Sequence, residues 1–535
     1  MAENPLDLAA AKARRAASAP RREPPPPPVD LAVGLPPALA AIRTHTDEDK
    51  RRPQPDVLLE IGLTHHLFHD AGGDPFAAVD LGTRTAVLRI DAAEYRDALS
   101  RDYYRLTHRG ATAKALADAT ATLAARARFD GPTEPVFLRV APTPDGVAVD
   151  LGDDTGDAAI ITAKGWRIGP APVRFRRGVK AMPLPRPERS TAPAAAFARL
   201  WGHINVDPAD RVLVAAWLLC GLWPALRGSF FILMVAGEQG TGKSSLTRVL
   251  KSLIDPSAAL LRLPPSDSKD LLIAALNAHV LALDNLSIIT PELSDALCAV
   301  SIGTALSARK LYTDTDEVLA AVKRPMILNS IDDVATRPDL ADRCVHVLLP
   351  PMTARRTEAE LARQFEIDAP LIFGALLDAV ASSPVDYTNM RLDPEPRMND
   401  AAKWAAAGLP VLGFEVTEFL AALQRNRKEM FETALEASPV GLALVKYMEE
   451  RPTWTGKADH LLALLLDGPA GPAWPKSPKG LLGVLRRLAP ALRTHGIAWS
   501  QTRTATGHRL VTITRAAPAE VEPTAAVADT ARVRL

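Results

Sequence analysis

Gly237-Glu238-Gln239-Gly240-Thr241-Gly242-Lys243-Ser244 follows the apolar run Phe230-Phe231-Ile232-Leu233-Met234-Val235 and precedes Ser245-Leu246-Thr247-Arg248-Val249-Leu250, whose apolar residues recur at helical spacing. The order is buried strand, glycine-rich turn, helix. Such a turn lets successive backbone N–H groups converge on phosphate oxygens, and the new helix adds its positive N-terminal end. In this pattern the lysine, Lys243, reaches the β and γ phosphates, and the hydroxyl of Ser244 ligates Mg²⁺. The stretch therefore reads as a site for ATP and Mg²⁺, with Gly237, Glu238, Gln239, Gly240, Thr241, Gly242, Lys243, Ser244 and Ser245 around the phosphates.

Downstream, Ala278-His279-Val280-Leu281-Ala282-Leu283-Asp284-Asn285 is an apolar strand ending in an acid, and Asp284 is the candidate second Mg²⁺ ligand, the Walker B position. A third strand, Arg324-Pro325-Met326-Ile327-Leu328-Asn329, ends in an amide. In ring ATPases an Asn there lies between the two nucleotide motifs and orients the attacking water. Arg337-Pro338-Asp339-Leu340-Ala341-Asp342-Arg343 carries two arginines just past that strand. An arginine supplied to a neighbouring site stabilises transition-state charge, worth roughly 10³ to 10⁵ in rate. Arg343 is the first candidate for that role and Arg337 the second.

The motif order from Gly237 to Arg343 resembles the superfamily 3 helicases, in particular the helicase half of phage- and plasmid-type primase-helicases of mobile elements. Over the whole chain the likeness extends to proteins of actinobacterial integrated elements that carry this ATPase behind an α+β domain, in phrases such as Leu283-Asp284-Asn285-Leu286-Ser287 and Arg397-Met398. The resemblance implies that Leu297 to Asp314 forms a hairpin in the central channel of a ring, with Arg309 and Lys310 facing single-stranded DNA. An arginine supplied to a neighbouring site implies a homo-oligomer, a hexamer in this reading, and because no primase active site is apparent in residues 55 to 185, priming is expected to fall to a separate primase. One departure stands out. The family commonly has an acid directly after the Walker B Asp, whereas this chain has Asn285, which can orient water but cannot accept its proton. Glu238 is one carboxylate that could stand in for it.

Between Trp474 and Arg515 lie eight basic residues, Lys476, Lys479, Arg486, Arg487, Arg493, Arg503, Arg509 and Arg515, and no Asp or Glu. The chain as a whole balances 63 basic against 62 acidic residues, so this local excess points to a nucleic-acid surface. Leu481, Leu482, Leu485 and Leu488 recur at helical spacing, and Ile497-Ala498-Trp499 and Leu510-Val511-Thr512-Ile513 read as strands. A helix followed by a basic hairpin reads as a winged helix, and it resembles the modules that end many phage replication proteins. Lys476, Lys479, Arg486, Arg487 and Arg503 are the DNA-contact candidates, for phosphate before base readout.

A chain of 535 residues requires several domains. The boundaries read as a disordered Pro/Ala/Arg-rich tail (1–54, with Pro24 to Pro28), an α+β accessory domain (55–190), a helical segment (191–229), the α/β P-loop NTPase core of AAA+-like type (230–352), flanking helices (353–437), the C-terminal winged-helix module (438–515) and a second disordered tail (516–535). In the accessory domain Ala93 to Tyr104 and Ala111 to Arg128 read as helices, and Pro135 to Val140, Val147 to Leu151 and Ala158 to Thr162 as short strands. His65, His66 and His69 are either metal ligands or ordinary packing histidines, and no partner set follows at zinc-enzyme spacing. Arg174-Phe175-Arg176-Arg177-Gly178-Val179-Lys180 is either a nucleic-acid contact or a charged loop. Cys220, Cys298 and Cys344 are far apart in apolar settings, as in a reducing, cytoplasmic protein. No run approaches the roughly 20 apolar residues of a membrane span.

These readings lead to an ATP-driven, DNA-binding motor that acts on single-stranded or duplex DNA, a superfamily 3-like helicase of a phage, plasmid or integrated element. An ATP-controlled initiator or regulatory switch that does not unwind is the alternative, and Asn285 is the residue that favours it.

Overall fold

The computed structural model describes residues 37–43, 52–178, 180–224, 228–309, 317–330, 337–352, 356–383, 387, 389–466, 471, 474–503 and 509–515. Lys310, most of the N-terminal leader and the tail 516–535 lie outside them. The chain divides into two compact units, residues 1–132 and 133–535.

The first unit contains helices α1 (Pro37–Arg43) and α2 (Gln54–Leu63), strands β1 (His66–His69), β2 (Pro75–Asp80) and β3 (Thr85–Arg89) in one antiparallel sheet, and helices α3 (Ala93–Thr107) and α4 (Ala113–Phe129). Within the segment read as a disordered leader, Pro37–Arg43 is thus a helix. Its Leu39 and Ile42, three residues apart, are buried in one core with Ile61, Leu99 and Leu123. Thr112 starts α4 by accepting a hydrogen bond from the Ala115 N–H.

The unit boundary falls inside the 55–190 segment. Residues 133–190 pack with the second unit, for a reason visible in their sheet. Strands β4 (Val136–Phe137) and β9 (Arg174–Phe175) pair in parallel, and β5 (Val140–Thr143), β6 (Gly146–Asp150), β7 (Asp157–Thr162) and β8 (Gly165–Pro170) form an antiparallel meander. Val147, Val149, Ala159, Ile161 and Trp166 on one face share a core with Trp217, Phe373 and Trp404. Arg139, only 2% exposed, bonds Asp255 at 3.3 Å and the Asp150 carbonyl at 3.1 Å, and Trp166 Nε1 donates to Asp378 at 2.8 Å.

After helices α5 (Pro193–Ala198) and α6 (Arg211–Gly221) comes a parallel sheet of β10 (Ile232–Ala236), β11 (Leu281–Leu286), β14 (Met326–Ser330) and β15 (Cys344–Leu348), in spatial order β11-β14-β10-β15. Strand β10 is buried at all five positions, as a central parallel strand flanked by helices must be. Helices α7 (Lys243–Ile254), α8 (Ser268–Asn277) and α9 (Pro291–Ile302) connect these strands, and β12 (Ala305–Arg309) and β13 (Glu317–Ala321) form a separate hairpin before β14. The short helix α10 (Pro338–Ala341) leads into β15, and α11 (Glu358–Ser382), α12 (Asn399–Gly408) and α13 (Val416–Glu436) follow it. Thr357 and Glu360 form a reciprocal capping box at the start of α11.

The C-terminal part comprises α14 (Pro439–Met448), β16 (Thr453–Gly456), α15 (Ala458–Leu465), α16 (Pro478–Thr494), β17 (Ile497–Arg503) and β18 (Arg509–Arg515). Its antiparallel sheet runs β16-β18-β17, and Leu444, Leu461, Leu481, Leu485 and Val511 share a separate core. Among the described residues no helix is long and apolar enough to cross a membrane.

Candidate functional site

The turn after β10 has the backbone its glycines predict. Gly237, Gly240 and Gly242 have φ of 149°, 85° and 93°, in the region that favours glycine. A Cβ on Gly237 would meet Thr241 Oγ1 at 2.9 Å and the Leu349 carbonyl at 3.1 Å, so the loop closes too tightly for any side chain there. Thr241 Oγ1 donates to the Glu238 carbonyl at 2.9 Å, and Asn205 Nδ2 ties the loop to the segment after β15 through the Thr241 and Pro350 carbonyls, at 3.2 and 2.6 Å. Lys243 Nζ donates to the carbonyls of Gly237 and Glu238 at 2.6 and 2.8 Å, which folds its ammonium over the loop. Burial lowers its pKa from the ordinary lysine value, and the Asp284 charge opposes that shift.

Strand order brings the other candidates together. Because β14 lies between β10 and β11, Asn329 at its end stands between the loop and Asp284. Ser244 Oγ is 3.2 and 3.1 Å from the two Asp284 oxygens, Asn329 Nδ2 donates to Asp284 Oδ1 at 2.9 Å, and Thr247 Oγ1 donates to Asn329 Oδ1 at 2.7 Å. The donor set offers hard oxygens from Ser244 and Asp284. Mg²⁺ suits such a site, since it takes one or two protein oxygens and completes its octahedron with phosphate and water.

Asn285 has a backbone reason that its side-chain chemistry did not suggest. Its φ is 61°, in the left-handed region that Asn tolerates better than most residues, and the β11–β14 register shifts between Leu283 and Leu286. Irregularities of this kind re-aim neighbouring side chains, here Asp284 toward Ser244.

The cleft over the loop also takes in Arg248, Asn285, Ser330, Arg356 and Glu358. Sequence reasoning passed over these residues apart from Asn285. Arg248 lies one helical turn after Ser244, a spacing that could have found it, whereas Arg356 comes from a distant segment and is held by the Gly202 carbonyl at 2.9 Å. Glu238 is exposed, and Glu358 is the carboxylate that joins Asp284 along the cleft among the described residues.

Neither candidate arginine lines this cleft. The Arg343 carbonyl accepts from the Ile232 N–H at 3.0 Å, which puts Arg343 at the opposite end of β10 from Gly237, roughly 16 Å along a five-residue strand. Its guanidinium donates to the Asp339 carbonyl. Arg337 pairs with Asp295 at 2.8 Å and donates to the Pro291 carbonyl at 2.9 Å.

Arg309 ends β12 in register with Glu317, at the turn end of the hairpin, and Lys310 follows outside the described residues. On α16 the exposed Lys479, Arg486 and Arg493 fall at seven-residue intervals on the face opposite the buried Leu481, Leu485, Leu488 and Leu492. Lys476, two residues before α16, and Arg487 on it are also exposed, and Arg503 of β17 is exposed directly across from Arg509 of β18.

The other polar clusters are satisfied internally. Arg174 pairs with Glu134 at 2.7 Å, Arg176 donates to the Leu276 carbonyl at 2.6 Å, and Arg177 donates to the Asp153 carbonyl at 2.6 Å. His65 shares a 3.1 Å hydrogen bond with the Tyr95 hydroxyl, the His66 ring stacks on Phe68, and His69 Nδ1 meets the Asp70 carbonyl at 2.8 Å. Among the described residues no group of three His, Cys, Asp or Glu could hold a metal ion, and Cys220 and Cys344 are buried.

Residues 198–424 match the family model described as actinomycete integrative conjugative element replication protein, and residues 440–527 match that of the AICE RepA C-terminal domain. No curated protein matches the chain. Among solved structures it is similar to SCCmec type IV Cch, described as an active helicase, with TM-score 0.44, 13% identity, and 83% of this chain and 92% of that chain covered. It is also similar to the apo C-terminal region of NrS-1, with TM-score 0.40, 12% identity, and 87% of this chain and 100% of that chain covered.

Proposed function

We propose that this chain, which belongs to the replication protein family of actinomycete integrative conjugative elements, is a P-loop ATPase motor that binds and unwinds DNA as a superfamily 3-like ring helicase. The observation that carries the reading is the linked set Ser244, Asp284 and Asn329, assembled at 2.9 to 3.2 Å beneath a glycine turn that begins a helix.

In this reading the phosphates of ATP lie against the backbone N–H groups of Gly240 to Ser245, and Lys243 exchanges its two loop carbonyls for β and γ phosphate oxygens. Ser244 and Asp284 hold Mg²⁺, which neutralises charge developing on the phosphates. Asn329, fixed by Thr247 and Asp284, orients the attacking water. Asn285 accepts no proton, so turnover depends on positioning and electrostatics. Arg343, too far from its own loop, serves the adjacent subunit. The β12–β13 hairpin with Arg309 and Lys310 contacts single-stranded DNA in the channel. The helix α16 and the β17–β18 hairpin, a winged helix in their order, grip duplex phosphates through Lys476, Lys479, Arg486, Arg487 and Arg503.

ATP turnover with and without single-stranded DNA tests the reading. DNA-stimulated hydrolysis, lost in Lys243→Ala and recovered in part when Lys243→Ala and Arg343→Ala subunits are mixed, supports a motor with shared sites. A strand-displacement assay then reads unwinding itself. Nucleotide binding without turnover would favour the ATP-controlled initiator or switch that Asn285 makes a second reading, and turnover indifferent to DNA counts against both.

A further inference from the structure

Helix α13 belongs to three apolar cores at once. Phe419 and Ala422 are buried with Trp217 and Trp404, Met430 with Leu340, Ala341 and Cys344 beside the parallel sheet, and Phe431 and Leu435 with Leu481, Leu485 and Leu488 of the basic helix α16. Met430 and Phe431 are consecutive, so the helix passes from the sheet's core to that of the C-terminal part within one residue.

One turn earlier the contacts become polar and converge on the segment around Arg343. Asn426 is only 4% exposed, yet it is an amide on a helix packed into apolar surroundings. Its Oδ1 accepts from the His346 N–H at 2.8 Å, and its Nδ2 donates to the His346 carbonyl. Strand β15 is the edge of its sheet, so this side chain supplies the backbone pairing that a further strand would provide. The next residue, Arg427, brings Nε to 3.1 Å from Asp342 Oδ1, and Arg397 pairs with the other oxygen. Asp342 is 11% exposed and immediately precedes Arg343. The Arg427 guanidinium also lies 5.3 Å from the centre of the ring of Phe431, itself a member of the core shared with α16. The short helix α10, just before Asp342, packs against both α13 and α16.

A side-chain chain therefore runs without a gap from the basic helix through Phe431 and Arg427 to Asp342, and Asn426 clamps the strand on the other side of Arg343. We propose that Asp342 and Asn426 are positioning residues for Arg343, through which duplex DNA held on α16 sets the arginine for the ATP of the neighbouring subunit. The inference rests on the reading that Arg343 acts in trans. It adds that the C-terminal part controls the ATPase, beyond tethering it to DNA. Energetic coupling of this kind requires contiguous contacts that both sites bias, and a change of about 5-fold or more is its usual scale.

Amide hydrogen exchange of the full chain, with and without a short mixed-sequence DNA duplex, reads the link separately from hydrolysis. Duplex binding is expected to slow exchange over 338–348 by about 5-fold or more. Arg427→Gln, at a half-exposed position outside the three cores, keeps the fold and the duplex affinity but loses this response, and DNA-dependent turnover falls with it. Arg427→Lys restores part of both, and Asp342→Asn serves as the second variant. The proposal is overturned where duplex binds and exchange over 338–348 stays unchanged, or where Arg427→Gln responds as the parent does. A response that depends on Arg427 in a protein that turns over no ATP leaves the link standing and removes the catalytic reading instead.

Discussion

Asn329 Nδ2 donates to Asp284 Oδ1 at 2.9 Å while its own Oδ1 accepts from Thr247 at 2.7 Å, so one buried amide joins the strand end that bears the acid to the helix that follows the glycine turn. Replacing it with Ala leaves a buried hydroxyl and a carboxylate each short of a partner. We expect Asn329→Ala to lose about 1–3 kcal/mol of stability in chemical denaturation. Turnover should fall roughly 10²-fold, the scale for losing one preorganised donor, with a smaller loss of nucleotide affinity. Equal losses in affinity and turnover would mean that Asn329 only supports the fold.

The strand, glycine turn and helix around Gly237 to Ser244, and the places of Asp284 and Asn329 near strand ends, were legible in the sequence because each lies at the end of an apolar run, where strand and turn are dictated by neighbouring residues. What escaped depended on distance. The boundary at Pro132 is set by the face of the β5–β8 sheet that packs on Trp217 and Phe373, residues far along the chain. Arg356 reaches the cleft by a loop, and Asn426 matters only because strand order leaves β15 at an edge. The left-handed backbone of Asn285 was unreadable for the same reason, since it arises from a shift in pairing with β14.

Arg139 joins the β5–β8 sheet to the end of the loop helix. Besides Asp255 it bonds the carbonyls of Asp150 and Met182, both at 3.1 Å, and Asp255 in turn holds Lys251 at 3.3 Å. Removing one partner of a buried ionic set costs about 3–5 kcal/mol. Arg139→Ala should therefore lower the denaturation midpoint more than Arg186→Ala, whose side chain is exposed and pairs at 3.3 and 3.4 Å with Asp153 and Asp157. Equal effects would rule out the buried set as the tie.

Gly374 lies in the middle of α11, where Ala normally gains about 1 kcal/mol over Gly. Here a Cβ would meet the Glu188 carbonyl oxygen at 1.8 Å, in a segment whose Glu188 N–H donates to the Pro370 carbonyl at 3.0 Å. The contact is with backbone, which cannot swing aside. Gly374→Ala is expected to destabilise by about 1–3 kcal/mol, the cost of overpacking, and a rise in thermal midpoint would contradict the close approach.

Burial lowers the pKa of His279 to about 4 from 6.5, with the Asp255 charge opposing, while its Nε2 lies 2.8 Å from the Gly221 carbonyl. The folded state thus keeps this ring neutral where the unfolded chain takes up a proton. Its contribution is fully present above about pH 6.5 and is lost as the pH falls toward 4, at about 1.4 kcal/mol per pH unit. His65, lowered to about 4 by burial and then by Arg101, has the same sign in the first unit. Denaturation measured from pH 7 to 4 should steepen downward, and His279→Gln should flatten the part that belongs to residues 133–535. An unchanged slope would place His279 in contact with solvent.

Lys479, Arg486 and Arg493 stand at seven-residue intervals on the exposed side of α16, so each is about 10 Å from the next along the axis. No acid interrupts them between Trp474 and Arg515, and the opposite face is committed to Leu481, Leu485, Leu488 and Leu492. A stripe of this kind meets phosphates whatever the base sequence, and each neutralised phosphate releases counterions. Arg486→Gln should weaken duplex binding to a similar degree across unrelated sequences and lower the slope of log affinity against log salt by about 0.9. Lys479→Gln combined with Arg486→Gln should lower it by about twice that amount, because the two side chains are two turns apart and share no partner. Fluorescence anisotropy across a salt series measures both. A slope that does not move would assign the phosphate contacts to another surface, whereas a loss confined to one DNA sequence would make Arg486 a reader of bases.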